Sequence, residues 1–222
     1  MARIAVDDGI RIMVATPHCL NGVYVNWRQD ILSACEELNS ALRAARISLT
    51  VLPGSEVRLC PEIMDALGNN RLMTLNDTGR YLSLELPSQF IHKSVIRLIN
   101  QFQYMGITPL IIHPERNIAI QNDISLLYDF ILAGSLSQIT AGSLMGEWGE
   151  AAFTCCREIL EQKMVHFMAS DAHSSHTRPP KLSKAFIKLS SLVGKNQAKR
   201  MTFDGPQTVL KGGLDRDFFL TS

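Results

Sequence analysis

The sequence predicts an α/β domain on a parallel sheet, either rolled into a barrel or laid out as a doubly wound layer. Apolar strand-like runs alternate in order with amphipathic helical runs, and each helical run ends at or near a turn signal. No linker, low-complexity tract or repeat divides the 222 residues, and that length suits one domain over 1–222.

The elements follow in order. The chain opens on a helical pattern, Met1–Asp8, stopped by Gly9, where a β/α fold ordinarily opens on a strand. Strand-like runs are Ile12–Ala15, Leu49–Leu52, Tyr81–Leu84, Thr108–Ile112, Ser137–Thr140 and His166–Ala169. Trp27–Ala45 carries Ile31, Leu32, Cys35, Leu38 and Leu42 at helical spacing. Pro61–Leu67 begins with a proline suited to a first helical turn. Phe90–Met105 repeats Ile91, Val95, Leu98, Ile99 and Phe102 and stops at Gly106, and Ile124–Leu132 stops at Gly134. Glu150–Gln162 and Lys181–Leu192 complete the set. This order implies parallel strands joined by right-handed crossovers.

Composition excludes several functions. Lys and Arg number 22 against 21 Asp and Glu, a net charge of +1, with no basic block for a nucleic acid. No apolar run approaches the roughly 20 residues of a membrane span, and the first residues show no signal-peptide core. The five cysteines lack CxxC spacing, which fits reduced thiols in the cytoplasm, where the sequon Asn76-Asp77-Thr78 carries no glycan. Cysteinyl-phosphate chemistry requires an Arg at a fixed six-residue spacing after the nucleophile, and the residues there are Val25, Ala41, Ala66, Glu161 and Gln162. No GxSxG elbow or Walker-type loop is present.

Ligand-type residues track the strand ends. His18 follows the first strand through Thr16-Pro17, and Glu56 follows the second through Pro53-Gly54-Ser55. Glu85 follows the third run, His113 the fourth, and Asp171 and His173 follow the last. Any one alone reads as a turn or solvated residue. Together they predict a rim where imidazole and carboxylate donors converge on divalent metal. Such ions lower the pKa of bound water and clamp a phosphoryl oxygen. Arg116 and Arg178 stand close behind His113 and His173, and a guanidinium fork suits phosphate. The alternatives are an ion pair of Arg116 with Glu115 or Asp123 and a loop anchor for Arg178. His92 and His166 read as structural, and His176 as a loop residue near the site.

Thr16-Pro17-His18, Pro53-Gly54-Ser55-Glu56-Val57, Leu84-Glu85-Leu86-Pro87, Gly106-Ile107-Thr108-Pro109 leading to His113-Pro114-Glu115-Arg116, Ala169-Ser170-Asp171-Ala172-His173 and Arg178-Pro179-Pro180 follow one another in the order of a known family. The chain resembles the polymerase-and-histidinol-phosphatase (PHP) superfamily. Within it, the chain is similar to the bacterial manganese-dependent protein tyrosine phosphatases of capsule and exopolysaccharide loci. The resemblance implies a distorted (β/α)7 TIM-like barrel. It implies Mn2+ as the metal, two or three ions, with Fe, Zn or Mg as substitutes, held by His18, Glu56, Glu85, His113, Asp171 and His173. Arg116 and Arg178 would hold phosphate while a metal hydroxide attacks phosphorus and the tyrosine phenolate leaves. The implied substrate is the phosphotyrosine tail of a tyrosine autokinase that controls polysaccharide synthesis. A homo-oligomer is also allowed.

The family opens on a strand bearing an Asp-x-His-x-His type motif, which this chain lacks and which Ser174-Ser175-His176 does not replace. The expectation is therefore a barrel with its first strand missing, an unpaired edge on each neighbouring strand, two fewer imidazole ligands and reduced activity and stability. Among a late-assigned start codon, a truncated chain and a degraded gene product, the retained ligands favour the first. The competing readings are another PHP phosphoesterase, acting on a metabolite such as histidinol phosphate, and a noncatalytic regulatory remnant. A metal-dependent amidohydrolase is more distant, because no Lys stands at a strand end to bridge two metals.

Overall fold

The computed structural model describes residues 1–88 and 91–213. Helix α1 (Ala2–Asp7) leads into β1 (Ile12–Ala15) and β2 (His18–Cys19). After α2 (Arg28–Ala44) come β3 (Thr50–Pro53), β4 (Glu56–Arg58), α3 (Ile63–Gly68) and β5 (Tyr81–Glu85). Next are α4 (Ser94–Tyr104), β6 (Thr108–Ile112), α5 (Ile118–Asn122), α6 (Ser125–Leu132) and β7 (Leu136–Thr140). The chain continues through α7 (Ala141–Leu144), α8 (Gly149–Glu161), β8 (Phe167–Ala169), α9 (Ser183–Val193), α10 (Lys195–Lys199) and α11 (Gly205–Leu210).

Every strand pairing is parallel, β1 with β3 in one ladder and β2-β4-β5-β6-β7-β8 in the other. The two ladders form one interrupted array. Ile12 pairs with Thr50 and His18 with Glu56, both 38 residues apart (50 − 12 and 56 − 18), so the register passes unchanged through the break. Glu56 N–H donates to Pro17 O across it, at 3.1 Å. Gly54 makes this approach feasible, because a Cβ there would lie 2.7 Å from Val14 Cγ1.

Strand order follows chain order, which decides for barrel-like winding over the doubly wound alternative, whose order reverses at a switch point. The sheet also curls. Leu110 and Ile112 of β6 face one side and Ile111 the other, as the pleat requires. On the inner side, Tyr81, Leu110, Leu136 and Phe167 form one cluster, and Val14 of β1 packs against it. Strands from both ends of the array thus share one interior. Among the described residues no strand pairing joins β8 to β1 or β2.

The two ends are linked by a side chain. Asp8, at the end of α1, accepts from Leu182 N–H (2.6 Å), Ser183 N–H (3.0 Å) and Ser183 Oγ–H (2.6 Å) at the start of α9. The opening helical pattern is therefore realised as α1, and it caps a helix 174 residues away. Outside the sheet, Val95, Ile99 and Phe102 of α4 and Leu127 and Phe130 of α6 join the main core. Helix α2 buries Ile31, Cys35 and Leu42 with Ala5 of α1 over Val51 of β3, while Leu38 lies exposed off that stripe.

The structure adjusts several boundaries. Pro61 precedes α3 in a turn instead of opening it. The fourth predicted helix begins at Ser94, and Phe90 lies outside the described residues. The first two strands are each split, and the short helices α5, α7, α10 and α11 carry too few turns to show a period. No described helix is long and apolar enough to cross a membrane.

Two acid-sensitive features follow. Burial opposes the charge of Asp8, but hydrogen bonds from Ser183 and Leu182 and the nearby Lys181 ammonium together hold it below the ordinary 3.8. The cap's stabilisation is therefore present above the unfolded value and is lost as pH falls through the lower folded value. Asp8→Ala is expected to cost about 1 kcal/mol at neutral pH, with the gap from the parent closing in acid, read by urea melts. Burial pulls His166 down to about 4 from 6.5, and its Nδ1 accepts from Ser137 N–H at 3.1 Å. The unfolded chain gains that proton first, so stability falls as pH drops from 6.5 toward about 4. His166→Asn is expected to flatten the melting profile across that window.

Candidate active site

The rim at the carboxyl ends of the strands gathers the polar residues. Glu56, at the start of β4, is buried at 4 % exposure. Its Oε1 lies 3.3 Å from His18 Nδ1 and 3.2 Å from His113 Nε2. Glu85 joins from the end of β5, and ligand atoms of His18, Glu56 and Glu85 lie within 4.8 Å of one another. Arg58 Nη1 stands 3.3 Å from Glu85 Oε1.

A second group continues the first. The His18 and His173 ring centroids are 5.9 Å apart. His173 Nδ1 lies 3.6 Å from Asp171 Oδ1, and the other oxygen, Oδ2, accepts from Arg116 Nη1 (2.6 Å) and Arg178 Nη2 (2.5 Å). Arg178 also donates to the Asp171 backbone carbonyl at 3.0 Å. Both guanidiniums lie over the Trp148 indole, at 4.3 and 4.9 Å from its centroid. All eight residues singled out from the sequence thus fall into one continuous constellation. The ion pair of Arg116 with Glu115 or Asp123 is not formed, since Asp171 takes that role. His176 stays on the exposed loop, and His166 lies just before β8, bonded to Ser137 of β7.

Local backbone aims these side chains. His113, directly after β6, and Asp171, two residues past β8, hold left-handed conformations, φ 38 and 49. For non-glycine residues such turns cost about 1–3 kcal/mol each and persist only when the surroundings enforce them. The surroundings do so. Glu115 is fully buried, and its Oε1 accepts from Thr140 N–H (2.9 Å) and Oγ–H (2.8 Å), which pins the turn to the end of β7. Asn117 caps α5 and donates to Pro87 O at 2.7 Å, tying the loop after β6 to the loop after β5. Asn26 donates to His18 O at 2.8 Å, and the Tyr24 ring stacks beside the His18 ring.

The donor set fits a divalent metal. His18 Nδ1 is buried and, though close to Glu56 Oε1, has no hydrogen-bond partner. A buried imidazole nitrogen left unpaired beside a buried carboxylate is costly, and a cation between them satisfies both. Thiol chemistry fits poorly. All five cysteines are free, and burial above all pushes each thiol up, Cys155 to about 12. Little nucleophilic thiolate exists near neutral pH.

Sequence reasoning missed Trp148, Arg58 and Tyr24. Trp148 carries one legible signal, its place between Gly146 and Gly149, both at positive φ (85 and 83). Arg58 and Tyr24 are marked only by contacts made across the rim.

Comparison with known proteins gives a consistent picture. Residues 1–211 match the family described as capsular polysaccharide synthesis, CpsB/CapC. The chain is 42 % identical over 178 residues to the tyrosine-protein phosphatase YwqE of Bacillus subtilis, covering 80 % of this chain and 70 % of that one. It is 35 % identical over 182 residues to the putative tyrosine-protein phosphatase CapC of Staphylococcus aureus, covering 82 % and 71 %. Against the tyrosine-protein phosphatase CpsB of Streptococcus pneumoniae it is 25 % identical over 212 residues, covering 93 % and 87 %. A solved structure from a study of YwqE and CpsB, described there as metal-dependent tyrosine phosphatases, superposes with a TM-score of 0.90 at 36 % identity, covering 96 % of this chain and 86 % of that one.

Glu56 is the hub of this arrangement. Glu56→Ala is expected to lower divalent-metal affinity by at least the roughly 10–100-fold that loss of an outer-shell partner costs. Metal analysis after dialysis against graded chelator reads the loss, and circular dichroism verifies the fold.

Proposed function

Because the chain belongs to the CpsB/CapC family of capsular polysaccharide synthesis, we propose that it is a metal-dependent phosphatase that hydrolyses phosphotyrosine. Its named relatives are tyrosine-protein phosphatases, which disfavours the small-molecule alternative. One observation carries the reading. An imidazole–carboxylate cluster suited to cations adjoins two arginines converging on a single carboxylate oxygen.

In this reading His18, Glu56, Glu85, His113, Asp171 and His173 hold two or three divalent ions, with manganese the proposed metal. Bound there, such ions supply a water acidified toward neutrality and positive charge against the phosphoryl oxygens. Arg116 and Arg178 take non-bridging phosphoryl oxygens bidentately in place of the Asp171 oxygen they now share. Water oxygen bonds to phosphorus and gives up a proton, the bond from phosphorus to the tyrosine oxygen breaks, and the phenolate departs with that electron pair and takes up a proton from solvent to become the tyrosine hydroxyl. A phenol of pKa about 10 leaves readily, so the main demand on the chain is to place and neutralise the phosphoryl group. The exposed Tyr24, whose ring stands beside that of His18, is the side chain proposed to meet the flanking peptide. The proposed partner is the phosphotyrosine tail of a tyrosine autokinase governing polysaccharide synthesis.

The test is hydrolysis of a phosphotyrosine peptide by the metal-loaded chain. Activity is expected to vanish with chelator and to return best with Mn2+ among Mn2+, Fe2+, Zn2+ and Mg2+. Arg116→Ala and Arg178→Ala are each expected to lower kcat/KM about 10²–10³-fold, the scale of losing one preorganised donor. Chelator-resistant activity, or arginine variants at parental rates, would overturn the assignment.

A further inference from the structure

Two guanidiniums placed against one oxygen repel each other, and a single carboxylate offsets only one of the two charges. Arg116 and Arg178 nevertheless converge on Asp171 Oδ2 at 2.6 and 2.5 Å. Both also lie over the Trp148 ring, 4.3 and 4.9 Å from the guanidinium carbons to its centroid. An indole face carries negative quadrupole charge and is the best aromatic partner for such cations.

The loop is shaped to present this ring. Gly146 and Gly149 bracket it at φ 85 and 83, a region in which side-chain-bearing residues are strained. Gly142, in α7, lets it seat closely, because a Cβ there would lie 2.9 Å from Trp148 Nε1 and 2.9 Å from Glu147 Oε2. Trp148 remains 41 % exposed, so the ring is open to solvent where it meets the two guanidiniums.

We propose that Trp148 is a positioning residue, a plate that holds Arg116 and Arg178 together as one preformed fork for a phosphoryl group. This rests on the phosphatase reading above and deepens it. The two arginines arrive from separate loops, after β6 and after β8, with nothing in the chain order to align them. Resting over one ring, they point their N–H groups at one place. Asp171 occupies that place in this structure, and an incoming phosphate, with more charge and more oxygens, takes it over. The ring itself touches no reacting atom.

The probe is inorganic phosphate, titrated calorimetrically into the full metal-loaded chain, alongside peptide kinetics. Trp148→Leu is expected to weaken phosphate binding about tenfold, the scale of a partly desolvated cation–π contact, and to raise KM more than it lowers kcat. Trp148→Phe, which keeps an aromatic face, is expected to stay within about threefold of the parent. Melting temperature and bound metal should be unchanged in both. If Trp148→Leu does not fold, Trp148→Met supplies the non-aromatic comparison. Phosphate affinity lost in Arg116→Ala and Arg178→Ala but retained in Trp148→Leu would overturn the plate and leave the phosphatase reading standing. Retention in all of these variants would overturn both, and equal loss in Trp148→Leu and Trp148→Phe would overturn the aromatic role.

Discussion

Strands that all run the same way deliver all their carboxyl ends to one rim. That constraint underlies everything else in this molecule. The unbroken 38-residue register from β1/β3 into β2/β4 and the sequential order through β8 leave the rim as the common destination of His18, Glu56, Glu85, His113, Asp171 and His173. The interior cluster that brings Val14 together with Phe167 shows the array curling on itself, which turns a row of strand ends into an enclosure.

The rim concentrates charge in two ways. Around Glu56 a nearly buried carboxylate faces two imidazoles, one with a buried nitrogen that lacks a hydrogen bond. This side is short of positive charge and suits a cation. Around Asp171 one carboxylate faces two guanidiniums, and this side has positive charge to spare and suits an anion. A phosphate ester and divalent ions together meet both needs. The strained turns at His113 and Asp171 are the local cost of aiming side chains across the gap, and Glu115, Asn117 and the backbone contact from Arg178 stabilise them.

The alternation of apolar runs made the parallel α/β class legible. Thr108–Ile112 was bounded correctly because Gly106 stops the preceding helix and His113 breaks the apolar run. The split at Thr16-Pro17 and at Gly54-Ser55 was not legible, since proline and glycine there read as strand ends while the register in fact continues beyond them. The gathering of these eight residues at one rim was readable because strand-end residues sit at a fixed point in each β-α unit. Glu85 was the weakest of them, flanked by Leu84 and Leu86, and only the ladder with β4 placed it beside Glu56.

The sequence by itself determined the fold class, the donor types and the family, because periodicity and motif spacing are properties of neighbours along the chain. Only the tertiary structure decided which donors share a partner. It set Arg116 on Asp171 and not on Glu115, placed Trp148 beneath both arginines, and capped α9 with Asp8. These contacts join residues tens to more than a hundred positions apart, and they depend on the curl of the sheet and the angle of each loop. No local pattern encodes either, because both arise from the packing of all the elements at once.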